Sequence, residues 1–511
     1  MRSDRNILSI GLLVLALAYT LWFVFAGFGN HQDPLYWLHK YAQPEGGWMA
    51  VGTLLTGGLV VKLFGAQLLP LRLFGWMCTV AAITVPYYCL LTREQRRENL
   101  HWLALTFVLM GYGAFQELSP GTLSVLLLSL LWVTQSPIVL GLAVAVRFPN
   151  ILALLILLPI WGRRSIKNVP IALLTAGVVY LIGYLLVTPA PMDAAMTSHS
   201  LWAMFGKLWE NGGKLVGYGL LAIGLLACGQ LTKDKPYAGG ALAGLAVAYF
   251  IAFTMKPMQW YNADMTYLLS ALCIVIAVVS GQRSEVRGQM LAGAGILAVA
   301  TLGTDTAWLK LFPAVLCLLP VAVVQYSEHG RRYLWTALAV VSVVVVIRMT
   351  TNSVGQSNLT KVQTISKIAP YKGIAIREVE EEYMKQMQAD YDSLRGDGCP
   401  FRLGFPRLTG TPSGERNVLA VGTDLHLMRA VTGCEAGRYN EFWSNIFDSV
   451  YTDKYQPIIA EEKPVVFCFF SPQFRTKPAY QNRHSAFEEM LRDEGYEEIP
   501  RKRYTIYKLN E

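Results

Sequence analysis

Long uninterrupted apolar blocks constrain this chain more than any other feature. The first, Ile7 to Gly27, follows Arg2 and Arg5 and meets the roughly 20 residues that a helix needs to cross a bilayer. Pro70 to Leu91 is a second clear block, and others recur up to Tyr333 to Met349. With 53% hydrophobic and only 15% charged residues, the chain is too apolar for an ordinary soluble globule. The pattern predicts a polytopic membrane protein. A cleaved signal peptide does not suit the first block, which exceeds an h-region of about 7–15 residues and has no A-x-A site after it.

The net charge of +9 carries no nucleic-acid signature, because the basic residues sit in short loops between blocks. These loops are Arg93 to Arg97, Arg163 to Lys167, Lys233 to Lys235, Arg283 to Arg287 and His329 to Arg332. The positive-inside rule assigns them, with the N-terminus, to the cytoplasm. Loops with few basic residues alternate with them: Gln116 to Pro120, Pro189 to Lys214, Lys256 to Asp264 and Gly303 to Ala307. Were the run Trp48 to Phe64 to cross the membrane, every later basic loop would fall outside. It is therefore expected to dip into the outer leaflet, where its glycine pairs are tolerated under protein cover, and residues 28–70 become one large outer loop. The blocks then give about 13 spans of roughly 20 residues, two of them short and flanking Arg147.

An odd count puts the C-terminus outside. Residues 1–349 read as an all-α membrane domain, and the more polar residues 350–511 as a small α/β extracytoplasmic domain. In the latter, Asn417 to Val421, Pro464 to Phe470 and Arg503 to Lys508 read as strands, and Arg377 to Gly396 and His484 to Glu494 as helices. Five of the eight cysteines lie in apolar blocks. Cys399, Cys434 and Cys468 lack zinc spacing, and a Cys399 to Cys434 disulfide suits an oxidising compartment. No P-loop or GxGxxG is present.

The candidate chemistry lies at the outer face. Asp33 sits just past the first block, among His31, Tyr36, Trp37, His39 and Tyr41. A carboxylate shielded by lipid and rings has a raised pKa and makes a better base; equally, Asp33 followed by Pro34 suits a helix N-cap. Glu117 stands before Pro120 as a second outer acid, or as the cap of the block beginning there. Membrane-edge charges are functional candidates. Arg147 falls at an outward junction, where it either faces a phosphate or snorkels to headgroups. Lys256, Trp260 and Tyr261 add a cation and flat rings for a sugar. His199, Trp202 and Trp209 read as an interfacial helix.

The order Asp33 after the first span, Tyr36, Gly46-Gly47, an apolar run ending Leu63-Phe64-Gly65, then Leu71-Arg72-Leu73 resembles the polytopic C-type (GT-C) glycosyltransferases. Within them it is most similar to the branch of protein O-mannosyltransferases and bacterial aminoarabinose transferases. An Arg-x-Pro stretch, Arg147-Phe-Pro149, adds to the likeness, which covers Met1 to about Ala263. The family's first-loop catalytic aspartate maps to Asp33, its second-loop acid to Glu117 and another first-loop acid to Glu45. The chain departs from the pattern in Gln43-Pro44-Glu45, in a single acid where protein mannosyltransferases have an Asp-Glu pair, and in Gly46-Gly47-Trp48 where many members have Pro-Pro.

The resemblance implies inverting transfer of a sugar from a polyprenyl-phosphate donor to a lipid, glycan or protein acceptor at the periplasmic face of a bacterial inner membrane. Asp33 would be the base, with Glu117 beside it. Tyr36, Glu45, Arg72, Arg147, Lys256, Trp260 and Tyr261 would bind substrate, and Lys207 could share the phosphate charge. A divalent metal held by Glu45 or His199 is a further option. The alternatives are a secondary transporter or flippase, which would show inverted repeats and midplane charges, and a lipid-linked glycan polymerase or ligase, which would favour a large late outer loop.

Overall fold

The computed structural model describes residues 2–27, 32–42, 50–111, 117–187, 201–254, 263–279, 284–302, 307–351, 361–395, 418–422, 424–433, 456, 459–460, 463–469 and 487–509. The membrane part contains α1 (Arg2–Phe25), α2 (Gln32–Ala42), α3 (Val51–Phe64), α4 (Leu68–Leu90), α5 (Arg93–Glu98), α6 (Leu100–Met110), α7 (Pro120–Thr134) and α8 (Pro137–Val146). It continues through α9 (Leu154–Trp161), α10 (Ser165–Leu186), α11 (Leu201–Leu231), α12 (Pro236–Thr254), α13 (Ala263–Val279), α14 (Ser284–Ala298), α15 (Ala307–Val324) and α16 (Glu328–Thr351).

Among the described residues, five stretches are long and apolar enough to cross a membrane: Ile7–Phe25, Leu68–Leu90, Phe148–Leu186, Gly212–Leu231 and Glu328–Ile347. Seven further apolar helices are shorter. Large aliphatic side chains such as Leu174, Leu185 and Leu220 stand at least 70% exposed. Such a surface would be untenable in water and is the natural one in lipid. The chain is a multi-pass membrane protein.

Side-chain bonds sort the helix ends. α4 and α7 run parallel, since Leu118 N–H donates to Leu71 O at 2.9 Å and Ser129 Oγ to Ala82 O at 2.6 Å. At the far end of this pair the basic loops gather. Tyr87 Oη donates to Arg96 O, His101 packs on Trp335, and His329 bonds Gly229 O at 3.1 Å. Trp161 and Trp132 reach Gln135 O and Gln289 O there. The basic loops thus share one end of the bundle, as their alternation with lean loops requires.

At the opposite end α3, only 14 residues long, touches down twice. Near its start Thr53 Oγ1 donates to Val146 O at 2.9 Å, and just past its end Leu68 N–H donates to Pro370 O at 3.0 Å. α3 therefore keeps both ends at one end of the bundle. α12 and α16 pack closely because Gly240 and Gly244 form a small-xxx-small face. A Cβ would lie 2.3 Å from Tyr333 O at Gly240, and 2.7 Å from Ala337 O at Gly244. Gly244→Val is expected to cost about 1–3 kcal/mol by overpacking, read as a lowered thermal midpoint of the detergent-solubilised chain. An unchanged midpoint would contradict this packing.

The C-terminal part holds α17 (Glu378–Arg395) and α18 (Leu425–Thr432), with β1 (Thr364–Ile365) antiparallel to β2 (Ala375–Ile376). A four-stranded sheet has the order β3 (Val418–Gly422), β4 (Val465–Phe469), β6 (Thr505–Leu509), β5 (Tyr496–Pro500). β3 and β4 are parallel and the other pairs antiparallel. The three expected strands are present, α17 fills the expected first helix, and residues 487–493 are helical. β5 escaped the sequence reading because Tyr-Glu-Glu-Ile-Pro is a charged edge strand, the form that edges take to avoid pairing with other chains. Arg501 clamps Asp390 of α17 through Nε and Nη2 at 2.8 and 2.7 Å, tying the β5 to β6 turn to that helix.

The change of composition near residue 350 is not a packing boundary. Leu35, Leu38 and Tyr41 of α2, with Leu68 and Leu71 of α4, belong to one buried cluster with Tyr371, Met384, Leu427 and Phe467. Gly27 N–H donates to Ala375 O at 2.8 Å, so β2 adds to the end of α1. The C-terminal part and the end of the bundle opposite the basic loops share a core.

Candidate functional site at the end of the bundle opposite the basic loops

Arg72, in the first turns of α4, organises this end. Its side chain is only 5% exposed, with Nε 3.5 Å from Glu117 Oε1, whose own side chain is 12% exposed. Nη1 donates to Gly27 O at 2.9 Å, and the guanidinium carbon lies 5.8 Å from the centre of the Tyr371 ring. One fork thus joins the exit of α1, the turn before α7 and the C-terminal part. A guanidinium suits the task because it presents several donors in a fixed plane and stacks on aromatic rings. Burial pushes the Tyr371 phenol well above its ordinary range, with Arg72 opposing and Glu117 adding to the rise, so it stays protonated.

Glu117 does not cap α7. Ser119 does, its Oγ accepting from Thr122 N–H while Thr122 Oγ1 accepts from Ser119 N–H. The Glu117 carboxylate is thereby available for the ion pair with Arg72. Its backbone carbonyl accepts from Thr122 Oγ1 at 3.1 Å.

Asp33 lies in the first turn of α2, which begins at Gln32; its side chain lies outside the described residues. The helix is held from three sides. Tyr41 Oη donates to Leu118 O at 2.9 Å, one residue from Glu117. Gly57 of α3 admits the Tyr41 ring, because a Cβ there would lie 2.3 Å from it. From α18, Arg429 Nη2 bonds His39 Nε2 at 2.6 Å and His426 packs edge-on to Tyr36 with centroids 5.5 Å apart. Tyr36 is also covered by Trp37 and by Lys40, whose Nζ stands 5.7 Å over its ring.

Arg147 is buried, and both Nη atoms donate to carbonyls: Nη1 to Ala300 O at 2.5 Å and Nη2 to Leu302 O. It cross-links the end of α8 to the turn that follows α14. Lys207 and Trp202 lie in α11 with side chains outside the described residues, and Trp209 is 87% exposed. Glu45, His199, Lys256, Trp260, Tyr261, Cys399 and Cys434 fall outside the described residues altogether. Among the described residues no group of three or more His, Cys, Asp or Glu side chains could hold a metal ion.

Tyr371 and Arg429 were not legible as site residues. Each meets its partner across the chain: Arg429 bonds a residue 390 positions away.

No family model matches the chain, and no curated protein matches it. Among solved structures it is similar to the crystal structure of the Archaeoglobus fulgidus oligosaccharyltransferase complex with Zn and sulfate, at 14% identity and a TM-score of 0.46, over 97% of this chain and 73% of that one.

Proposed function

We propose that the chain is a membrane glycosyltransferase of the GT-C type, moving a sugar from a polyprenyl-phosphate donor to an acceptor hydroxyl or phosphate at the outer face. The observation that carries the reading is the gathering, at the end of the bundle opposite the basic loops, of the helix bearing Asp33 with the buried Arg72 and Glu117 pair. The sequence resemblance over the first half of the chain supports it, and about 13 passes with a periplasmic C-terminal part is the topology that goes with it.

In this reading Asp33 accepts the acceptor's proton as the oxygen attacks the anomeric carbon. The bond to the phosphate breaks on the opposite face, and the polyprenyl phosphate leaves as the anion. Arg147, Lys207 or Lys256 would meet the growing phosphate charge; two of the five N–H donors of Arg147 go to the Ala300 and Leu302 carbonyls. Glu117 fixes Arg72, and through it the ends of α1 and α4. Trp260 and Tyr261 would stack on the sugar. Glu45 and His199 are the residues that a divalent metal would use, should transfer require one.

The test is transfer of label from radiolabelled polyprenyl-phosphate sugars in vesicles containing the purified full-length chain. Label moving to a lipid, glycan or protein acceptor supports the reading. Label that crosses the bilayer while still attached to its lipid would establish a flippase instead, and growing chains of label on the lipid would establish a polymerase.

A further inference from the structure

We propose that Arg429 of the C-terminal part and His39 of α2 form a latch that positions the helix bearing Asp33, closed while the imidazole is neutral and opened when it takes a proton. The docking claim stands on the contact itself. Its consequence for sugar transfer rests on the role proposed for Asp33.

The chemistry of the contact sets its protonation state. A guanidinium has only donors, so His39 Nε2 must accept with its lone pair and the ring proton must sit on Nδ1. Protonation of Nε2 would turn the 2.6 Å bond into two opposed N–H groups on two cations. The surroundings do not relieve this. Among the described residues, the charges acting on His39 come from Arg429 and His426 of α18 and from Lys40 of α2 itself, all of them basic; α3 and α4, the other helices packed on α2, contribute none. Lys40, His426 and Arg429 are each at most 8% exposed. Burial and then these cations hold the imidazole far below its ordinary range.

The sign follows. In the undocked helix the imidazole meets water and titrates near its ordinary value of about 6.5. The undocked form therefore binds the proton better, and acid favours it. Docking is independent of pH above about 6.5, and below that the docked to undocked ratio falls about tenfold per pH unit. Arg429 is a positioning residue here, acting on Asp33 through α2.

The test is hydrogen–deuterium exchange of peptides spanning residues 32–42 in the full chain in lipid nanodiscs, from pH 7.5 to 4.5, corrected for intrinsic exchange. In the wild type, exchange through opening should be flat above about pH 6.5 and rise about tenfold per unit below it. His39→Gln keeps an acceptor oxygen without a titrating group and should stay protected with the slope abolished. Arg429→Met should exchange at least tenfold faster at pH 7.5 and keep an acid slope, because burial, His426 and Lys40 still act on the docked imidazole. A flat wild-type profile, a wild-type slope in His39→Gln, or wild-type protection in Arg429→Met overturns the latch. Transfer assays on the same proteins should show the acid limb of activity moved to lower pH in His39→Gln. If the exchange results hold and no protein transfers sugar, the latch stands and the transferase reading falls.

Discussion

Asp33→Asn is expected to lower sugar transfer by about a hundredfold to ten-thousandfold, the range for a lost general base. At about 1.4 kcal/mol per tenfold, the lost transition-state stabilisation is roughly 3 to 6 kcal/mol. The fold should barely notice. Asp33 belongs to the first turn of α2, where an acid's interaction with the helix dipole is worth about 0.3–1 kcal/mol. Transfer and thermal midpoint measured on the same preparation separate the two roles. Transfer near wild type with a lowered midpoint would make Asp33 a helix-start residue, and the transporter reading would move ahead.

Arg72→Met should produce the largest loss of stability, about 3–5 kcal/mol, because it removes one member of a largely shielded ion pair. Glu117 would remain 12% exposed beside an apolar side chain, and the Gly27 carbonyl and the Tyr371 ring would lose the same guanidinium. Arg72→Lys should recover only part of this loss, since an ammonium lacks the planar fork that reaches all three groups. The double change Arg72→Met with Glu117→Leu should restore much of it, because removing both members of a buried pair is far cheaper than removing one. Thermal unfolding in detergent checks the order. Limited proteolysis after residue 350 checks the site, since the cluster that Arg72 crosses also contains Tyr371 and Met384. A single variant as stable as wild type would show that the pair carries no net stability.

Glu117 marks where a local reading reached its limit. Its place before Pro120 suits a cap, but Ser119 followed by Thr122 closes the capping box and satisfies the first N–H groups of α7. The carboxylate, freed from that duty, pairs with Arg72 instead. Arg147 is the complementary case. An arginine beside short helices suits a phosphate, yet both its Nη atoms meet carbonyls of the turn that follows α14. At both positions the residue type and the depth were legible, and the partner was not.

The sequence by itself determined the membrane class, the alternation of basic and lean loops, the shortness of α3, and the strands and amphipathic helix of the C-terminal part. Each is written in the spacing of apolar and charged residues over some 5 to 20 positions, the range over which a helix or a strand chooses its buried face. Only the tertiary structure decided that the C-terminal part shares a core with the end of the bundle opposite the basic loops, that Arg72 joins Gly27, Glu117 and Tyr371, and that Arg429 reaches His39. These partners lie from 45 to 390 residues apart. A hydrogen bond forms within about 3 Å, so its existence depends on the register of packed helices and strands, which no local pattern encodes.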